Sequence, residues 1–476
     1  MGRNSRRRQK LPPEPLYLRI QRLGHDGRGI ASIEGKLAFV SGALPGEEVL
    51  AQCTSRRTQY DEFSTVSVLE SSPDRVEPRC PVTALCGGCS MQHLAEQKQL
   101  IHKQQFLLDQ LKHGAGIETF ELLPPVLGLH YFYRRKARLA VRYVHKKEDT
   151  LVGFREKNGR FIVDMQQCPI LVKPVSDLIS PLRSLLNQLE GKRDIPQIEV
   201  AAGELPTQQL SAEIDPESYQ VALILRHMEA LSTNDRASLI EFARKHSLAL
   251  YLQPKGPDSI HQIWPENQAE RLHYYLPGNL TLPFHPADFT QINGEINRKM
   301  IAAALSLLDL KSNDVVLDLF CGLGNFTLPM AQHCAKVVGV EGSQQMVERG
   351  FENARCNRIQ NVDFHAADLS VDFGQDSWGR PGYTKILLDP PRSGAIEIIP
   401  RLAELKASKI VYISCNPTTL ARDAAELGKL GYKLTRAGIL DMFPHTSHVE
   451  SIAEFELQKN RNRSAGARVS RKHMFQ

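Results

Sequence analysis

The sequence predicts a multidomain α/β chain: a small N-terminal β-barrel, a central α+β region around a cysteine cluster, and a C-terminal doubly wound domain. Three observations carry that prediction. Residues 14–72 are short apolar runs punctuated by Gly24, Gly27, Gly29, Gly35, Gly42 and Gly46. Cys80, Cys86 and Cys89 follow in a C-x5-C-x2-C spacing. From Val315 to Phe455 strand and helix patterns alternate, as in a parallel sheet covered on both faces. At 476 residues the chain is long for one core. The expected divisions are 14–72, 73–283 and 284–457, between basic tails at 1–13 and 458–476.

Composition excludes several classes. Hydrophobic residues make up 42%, enough for packed cores, and the formal net charge is +6. The charge gathers at the ends, in Arg3, Arg6, Arg7, Arg8 and Lys10, then in Lys459, Arg461, Arg463, Arg468, Arg471 and Lys472. Such tails are solvated and suit a polyanionic partner. No apolar run approaches about 18 residues, so no membrane span is expected. No apolar segment follows the first charges, so the start does not read as a signal peptide. Nine unevenly placed cysteines argue against a disulfide framework and fit a reducing cytoplasm.

Within the barrel the clearest strands are 37–40 and 48–51, with a turn at 43–46. A small barrel with a basic rim binds oligonucleotides or serves as a docking module, and the pattern leaves both open. In the cysteine cluster, Gly87 and Gly88 let the flanking thiols turn inward. Cys168, after a hairpin over 154–163 with its turn at 157–159, is the candidate fourth ligand. Clustered cysteines plus a distant one suit an iron–sulfur cluster better than zinc, which pairs two short knuckles; unligated thiols come third. Residues 93–113 form an amphipathic helix whose stripe of Leu94, Ile101 and Leu108, beside Leu100, Leu107 and Leu111, is expected in the core. Over 133–144, Ala137, Leu139, Val141 and Tyr143 alternate with Lys136, Arg138 and Arg142, a basic face that grips phosphates or is simply solvated. Residues 175–256 mix helices and strands without a catalytic signature.

The C-terminal domain carries the chemistry. Phe289-x-Gln291-x-Asn293 leads into a helix at 295–308, and a strand then delivers Asp318-x3-Gly322-x-Gly324. Thr327 breaks the nicotinamide fingerprint, which needs glycine there. Glu341 ends the second strand, where an acid grips ribose hydroxyls, and Asp368 follows the third, suitably placed for an adenine amine. Acids without a phosphate cradle point to S-adenosylmethionine rather than NAD; the bland alternative is a doubly wound domain with no cofactor. Asp389 ends the fourth strand and Cys415 the fifth, just before a helix expected to be capped by Thr418. The positive helix end is expected to lower the thiol pKa. A lone cysteine there is more often structural, but Glu450, facing the same cleft, changes that balance. A thiolate adding to carbon 6 of uracil makes carbon 5 nucleophilic, and a carboxylate then removes the carbon 5 proton. His445 and His448 lack the partners of a metal site and are expected to form hydrogen bonds.

Together these residues resemble the RNA (uracil-5-)-methyltransferase family, most nearly its branch acting on 23S ribosomal RNA. The resemblance spans nearly the whole chain: Gly-Arg-Gly at 27–29 and Leu-Pro-Gly-Glu at 44–47 of a TRAM-type, OB-like barrel, the cluster cysteines, Phe289-x-Gln291-x-Asn293, Asp-Leu-Phe-Cys-Gly-x-Gly-Asn-Phe at 318–326, Ser-Cys-Asn-Pro at 414–417, and 441–450. It implies a Rossmann-like methyltransferase domain in which Cys415 is the nucleophile and Glu450 the base. Gln291, Phe320, Asn325, Glu341, Asp368 and Asp389 would line the S-adenosylmethionine site; Cys80, Cys86, Cys89 and Cys168 would hold a 4Fe-4S cluster. The family often has Asn at the position of Asp368. The implied partner is 23S ribosomal RNA with its target uridine flipped out, bound by a cytoplasmic monomer with no role for DNA or membrane. Three rivals remain. The transfer-RNA member generally lacks barrel and cluster, and a second ribosomal branch lacks the barrel. A non-catalytic RNA-binding assembly protein would need neither Cys415 nor Glu450.

Overall fold

The computed structural model describes residues 11–157, 159–206, 215, 217–266, 271–371, 376–380 and 382–458. The basic clusters at 3–10 and 459–472, and Asn158 of the expected turn, lie outside them.

The strands Leu16–Arg19, Arg22–Leu23, Gly29–Ile33, Lys36–Ser41, Glu48–Arg56 and Tyr60–Glu70 form one six-stranded sheet. Leu16–Arg19 pairs with Glu48–Arg56, while Arg22–Leu23 pairs with Gly29–Ile33. The two sheet edges are therefore halves of one bent strand, and the sheet closes on itself. Alternate residues fill the inside, among them Ala38, Val40, Val49, Ala51 and Phe63. Gly29 is required opposite the bend, because a Cβ there would lie 2.8 Å from Ile20 Cγ2 and 2.9 Å from the Ala43 carbonyl. The buried Glu47 accepts from Leu44 N, Ser72 N and Arg75, which ties the barrel to the chain leaving it.

A second six-stranded sheet runs in the order His261–Trp264, Ala249–Gln253, Tyr219–Arg226, Gln197–Glu204, Lys136–Val144, Asp149–Gly153. Helices Ile179–Gln188 and Thr233–Lys245 contribute Leu182, Leu186 and Leu239 to the core on one face, which also contains Cys86, Cys89 and Cys168. The other face, through Ala201, Ile224 and Tyr251, shares a core with the hairpin Leu272–Leu276/Leu280–Phe284, the helix Gly294–Leu308 and the last sheet.

That last sheet has eight strands, in the order Val362–Ala366, Lys336–Glu341, Val315–Leu319, Lys385–Leu388, Lys409–Ser414, Glu450–Leu457, Tyr432–Leu440, Glu121–Leu122. The first five are mutually parallel. Their carboxyl ends therefore share one edge. Glu450–Leu457 runs antiparallel to Lys409–Ser414, so its beginning reaches that same edge.

Two local expectations are corrected. The helix is Glu96–Asp109 followed by a π-helical turn, Gln110–Gly114, and of its expected apolar stripe Leu94, Leu107 and Leu111 are buried while Ile101 is not. Ile101 is 59% exposed, while the buried face carries Gln99, Lys103, Leu107 and Leu111. The two polar residues are inside because specific partners await them near the end of the chain. The helix Pro417–Lys429 is capped by Asn416, whose side chain accepts from Thr418 N, rather than by Thr418.

Candidate active site

The carboxyl edge of the parallel strands gathers the predicted residues in strand order. After Leu319 the backbone turns sharply: Phe320 has φ 64°, Gly322 56° and Gly324 96°, a left-handed path that the two glycines follow without steric cost and that Phe320 also adopts. Glu341 spans the resulting loop, accepting from Gly322 N and Ser343 N, both at 3.1 Å. Asn325 and Asn297 exchange two side-chain hydrogen bonds of 2.9 Å, and Tyr274 OH donates to Asn325 Oδ1 at 3.1 Å. The Gln291 carbonyl accepts from Arg135 Nε at 2.8 Å. Asp368, exposed two residues past its strand, accepts from Ser370 N and Oγ, which hold its carboxyl below the usual range.

Asp318 and Asp389 are the acids beneath this edge. Asp318 is fully buried; Thr327 Oγ1 donates to its Oδ2 at 2.5 Å, while its Oδ1 has no partner among the described residues. Burial, with Asp389 and Glu341 nearby, pushes its carboxyl up to about 8. Burial raises Asp389 to about 7. A group bringing positive charge would be welcome here. Asp318 stood in the motif, but its lack of a second partner was not legible from the sequence.

Cys415 follows the strand Lys409–Ser414 and is half-buried. Burial pushes its thiol up to about 11, Glu450 and Asp389 adding to the rise and Arg392 opposing it. The expected helix-lowered thiolate is thus overturned in this chain, because burial and two carboxylates oppose ionisation. Glu450, 4% exposed, opens its own strand, and burial raises it well above the usual carboxylate range, Asp389 adding and Arg392 opposing. Arg392 closes the run Asp389-Pro390-Pro391-Arg392, which the sequence places at this edge without assigning the arginine a role. Its carbonyl accepts from Asn416 and Thr419, and its guanidinium lies 3.4 Å from His448 Nδ1. The cleft over Cys415 is completed from elsewhere by His25 and Asp26 of the barrel and Phe106 of the helix. His25 stacks on Phe106 with ring centroids 5.4 Å apart.

The four cluster cysteines meet far from this cleft in sequence. Cys80, Cys86, Cys89 and Cys168 are each at most 7% exposed and line one cavity with Phe154, Met165 and Ile170. Gly87 lets the loop pass, since a Cβ would lie 2.9 Å from the Arg155 carbonyl. All four thiols are raised by burial, Cys89 to about 11 and Cys168 to about 12. Among the described residues no group of three or more His, Cys, Asp or Glu side chains is arranged to hold a metal ion as it stands. No helix among them is long and apolar enough to cross a membrane. The expected hydrogen bonding of the two imidazoles is met in part: His445 Nδ1 lies 3.3 Å from Gln99 Nε2 and His448 Nδ1 3.4 Å from Arg392, but the buried His445 Nε2 has no partner among the described residues.

Comparison with known proteins adds to this geometry. Residues 279–375 and 377–456 match the family model described as tRNA (Uracil-5-)-methyltransferase. An Alcanivorax borkumensis protein named 23S rRNA (uracil(1939)-C(5))-methyltransferase RlmD is 50% identical over 458 residues, covering 96% of this chain and 100% of that one. A protein of the same name from Hahella chejuensis is 49% identical, covering 95% and 99%. Among solved structures, the Pyrococcus abyssi tRNA (uracil-54, C5)-methyltransferase in complex with S-adenosyl-L-homocysteine aligns with a TM-score of 0.70 at 24% identity. It covers 92% of this chain and 100% of that one, a likeness of fold.

Proposed function

The chain belongs to the family of 23S rRNA (uracil(1939)-C(5))-methyltransferases, and we propose that Cys415 and Glu450 carry its chemistry at the carboxyl edge of the last sheet. The activity is the S-adenosylmethionine-dependent conversion of uridine 1939 of 23S ribosomal RNA to 5-methyluridine. One observation supports the assignment of the pair above the rest. Ser414 faces Ser451 in the antiparallel register, so the residue after one and the residue before the other come to the same edge.

S-adenosylmethionine, when bound, supplies the electrophilic methyl group. The unpartnered, buried Asp318 Oδ1 and the raised carboxyl of Asp389 fit a cationic sulfonium compound. Glu341 would take the ribose hydroxyls and Asp368 the adenine amine, with Gln291, Phe320, Asn325 and Asp389 completing the site. Cys415, once deprotonated, adds to carbon 6 of the flipped uracil and leaves carbon 5 as the nucleophilic end of an enolate. After carbon 5 is methylated, Glu450 takes its proton; the electron pair reforms the ring double bond, the carbon 6–sulfur bond breaks, and Cys415 departs as a thiolate. Arg392 beside Cys415 favours that thiolate electrostatically.

Four buried thiols in one apolar cavity fit a cluster ligated by thiolates, and Cys80, Cys86, Cys89 and Cys168 would hold a 4Fe-4S cluster in a structural role. The barrel, read as a TRAM-type module, and the basic tails would hold RNA over the cleft of a cytoplasmic, monomeric enzyme.

The deciding experiment incubates purified protein with S-adenosylmethionine and unmodified 23S ribosomal RNA, then seeks 5-methyluridine in a digest by mass spectrometry. Transfer RNA and the Cys415→Ala variant run alongside. The mark is expected in ribosomal RNA alone and only with Cys415. Methylation by Cys415→Ala would overturn the nucleophile. For the cluster, protein purified without oxygen is expected to carry iron and acid-labile sulfide; zinc without sulfide would replace that reading.

A further inference from the structure

The strand pairing that brings Glu450 to the edge fixes only one side of it, because Glu450 is the first residue of its strand. The residues before it, 441–449, contain no helix or strand. Three bonds within the loop hold its turn: Thr446 N and Thr446 Oγ1 both to the Phe443 carbonyl, and His448 N to Thr446 Oγ1. Apart from Arg392, 3.4 Å from His448 Nδ1, its other anchors come from the central region. Ser90 N and Met91 N donate to the His445 carbonyl at 3.0 and 2.9 Å, and Ser447 N donates to Ser90 Oγ at 3.0 Å. Gln99 Oε1 accepts from His445 N, while Gln99 Nε2 donates to the carbonyls of Met91 and Leu94 at 3.0 and 2.7 Å. Lys103 Nζ donates to Asp441 Oδ1 at 2.7 Å and to the Phe443 carbonyl at 2.9 Å. Tyr133 OH donates to the Pro444 carbonyl at 3.0 Å.

We propose that Ser90, Gln99, Lys103 and Tyr133 are positioning residues for Glu450, holding the loop 441–448 so that the carboxylate meets the carbon 5 proton. The inference rests on the reading of Glu450 as the base. Ser90 directly follows Cys89, so one peptide bond and the Ser90 hydrogen bonds join the cysteine cavity to the loop before Glu450. None of these four residues touches the reacting atoms; their effect passes through one loop and falls on one step. Proton removal comes after methyl transfer. A displaced Glu450 therefore leaves the enzyme joined to methylated RNA through the Cys415 sulfur, unable to expel it.

That predicted stall separates positioning from general loosening of the fold. Full-length Gln99→Met and Tyr133→Phe variants, with Glu450→Gln as reference, are reacted with radiolabelled S-adenosylmethionine and unmodified 23S ribosomal RNA. Denaturing gels then measure labelled protein–RNA adduct beside kcat and KM. For Gln99→Met, kcat should fall about tenfold, the effect of a lost buried hydrogen bond, with KM for RNA unchanged. Labelled adduct should accumulate as it does in Glu450→Gln. Tyr133→Phe removes one hydroxyl and should show a smaller rise in the same adduct, and it decides the matter if Gln99→Met does not fold. A fall in kcat with no adduct in either variant, while Glu450→Gln accumulates it, overturns the inference. Absence of adduct in Glu450→Gln instead removes the assignment of the base, and the inference with it.

Discussion

Ser451 Oγ donates to the Ser414 carbonyl at 3.2 Å across a register in which the two serines face each other. Cys415 follows the one and Glu450 precedes the other. A parallel strand could not have produced this meeting, because its beginning lies at the opposite edge of the sheet. Reversal of the sixth strand is what brings a carboxylate beside the thiol.

Because Cys415 is held up to about 11 and Glu450 is also raised, the reactive forms of both groups grow as pH rises. The expected profile of kcat/KM climbs from pH 6 to 9, by about tenfold per unit where the thiol alone limits. Arg392 opposes both shifts. Arg392→Gln should therefore push both groups higher and lower kcat/KM throughout this range. A profile flat across this range would contradict the raised thiol.

Glu341 is already pinned by two backbone amides, so its free lone pairs have a fixed direction. Glu341→Ala should weaken S-adenosylmethionine binding about 10- to 100-fold, as expected for charge-assisted hydrogen bonds of about 1.5–3 kcal/mol. Titration calorimetry without RNA measures it directly. Unchanged affinity would remove Glu341 from the cofactor site.

Asp318 binds its proton more tightly folded, at about 8, than unfolded, at about 3.9. Its protonation therefore stabilises the fold fully below the unfolded value, and that contribution is lost as pH rises through the folded one. The thermal midpoint of the protein without donor is expected to fall between about pH 5 and 8. Asp318→Asn should flatten that slope, and donor should reduce it. Calorimetric melts across this range are the check, and an equal slope in the variant would refute the argument.

Lys103 and Asp441 form a buried pair, their side chains 2% and 5% exposed. Burial lowers the Lys103 ammonium while Asp441 holds it up. Lys103→Ala leaves a buried carboxylate alone and should cost about 3–5 kcal/mol in chemical denaturation. Lys103→Met with Asp441→Leu removes both charges and should recover most of that loss. If the double variant is no more stable than the single one, the pair is not what holds the loop.

Apolar runs such as Ile410-Val411-Tyr412-Ile413, and the glycines and acids that end their neighbours, made the parallel strands and their catalytic edge readable. Those signals are local: a strand buried on both faces is written in consecutive residues, and a sharp loop in its glycines. The four cysteines were readable as a set by residue type, although only folding brings Cys168 into the cavity of the other three.

On the helix Glu96–Asp109 periodicity placed Leu107 inside correctly but favoured Ile101 for the interior where folding chose Gln99 and Lys103. The sequence alone determined the parallel strands of the last sheet and the acids and thiol that end them. Tertiary structure decided that Cys415 lies in a cleft completed by the barrel, that its thiol is raised rather than lowered, and that a helix from the central region grips the loop before Glu450. The reason is physical. Burying a lysine is tolerable only with a partner, and Asp441 lies 338 residues further along the chain, beyond the reach of any local pattern.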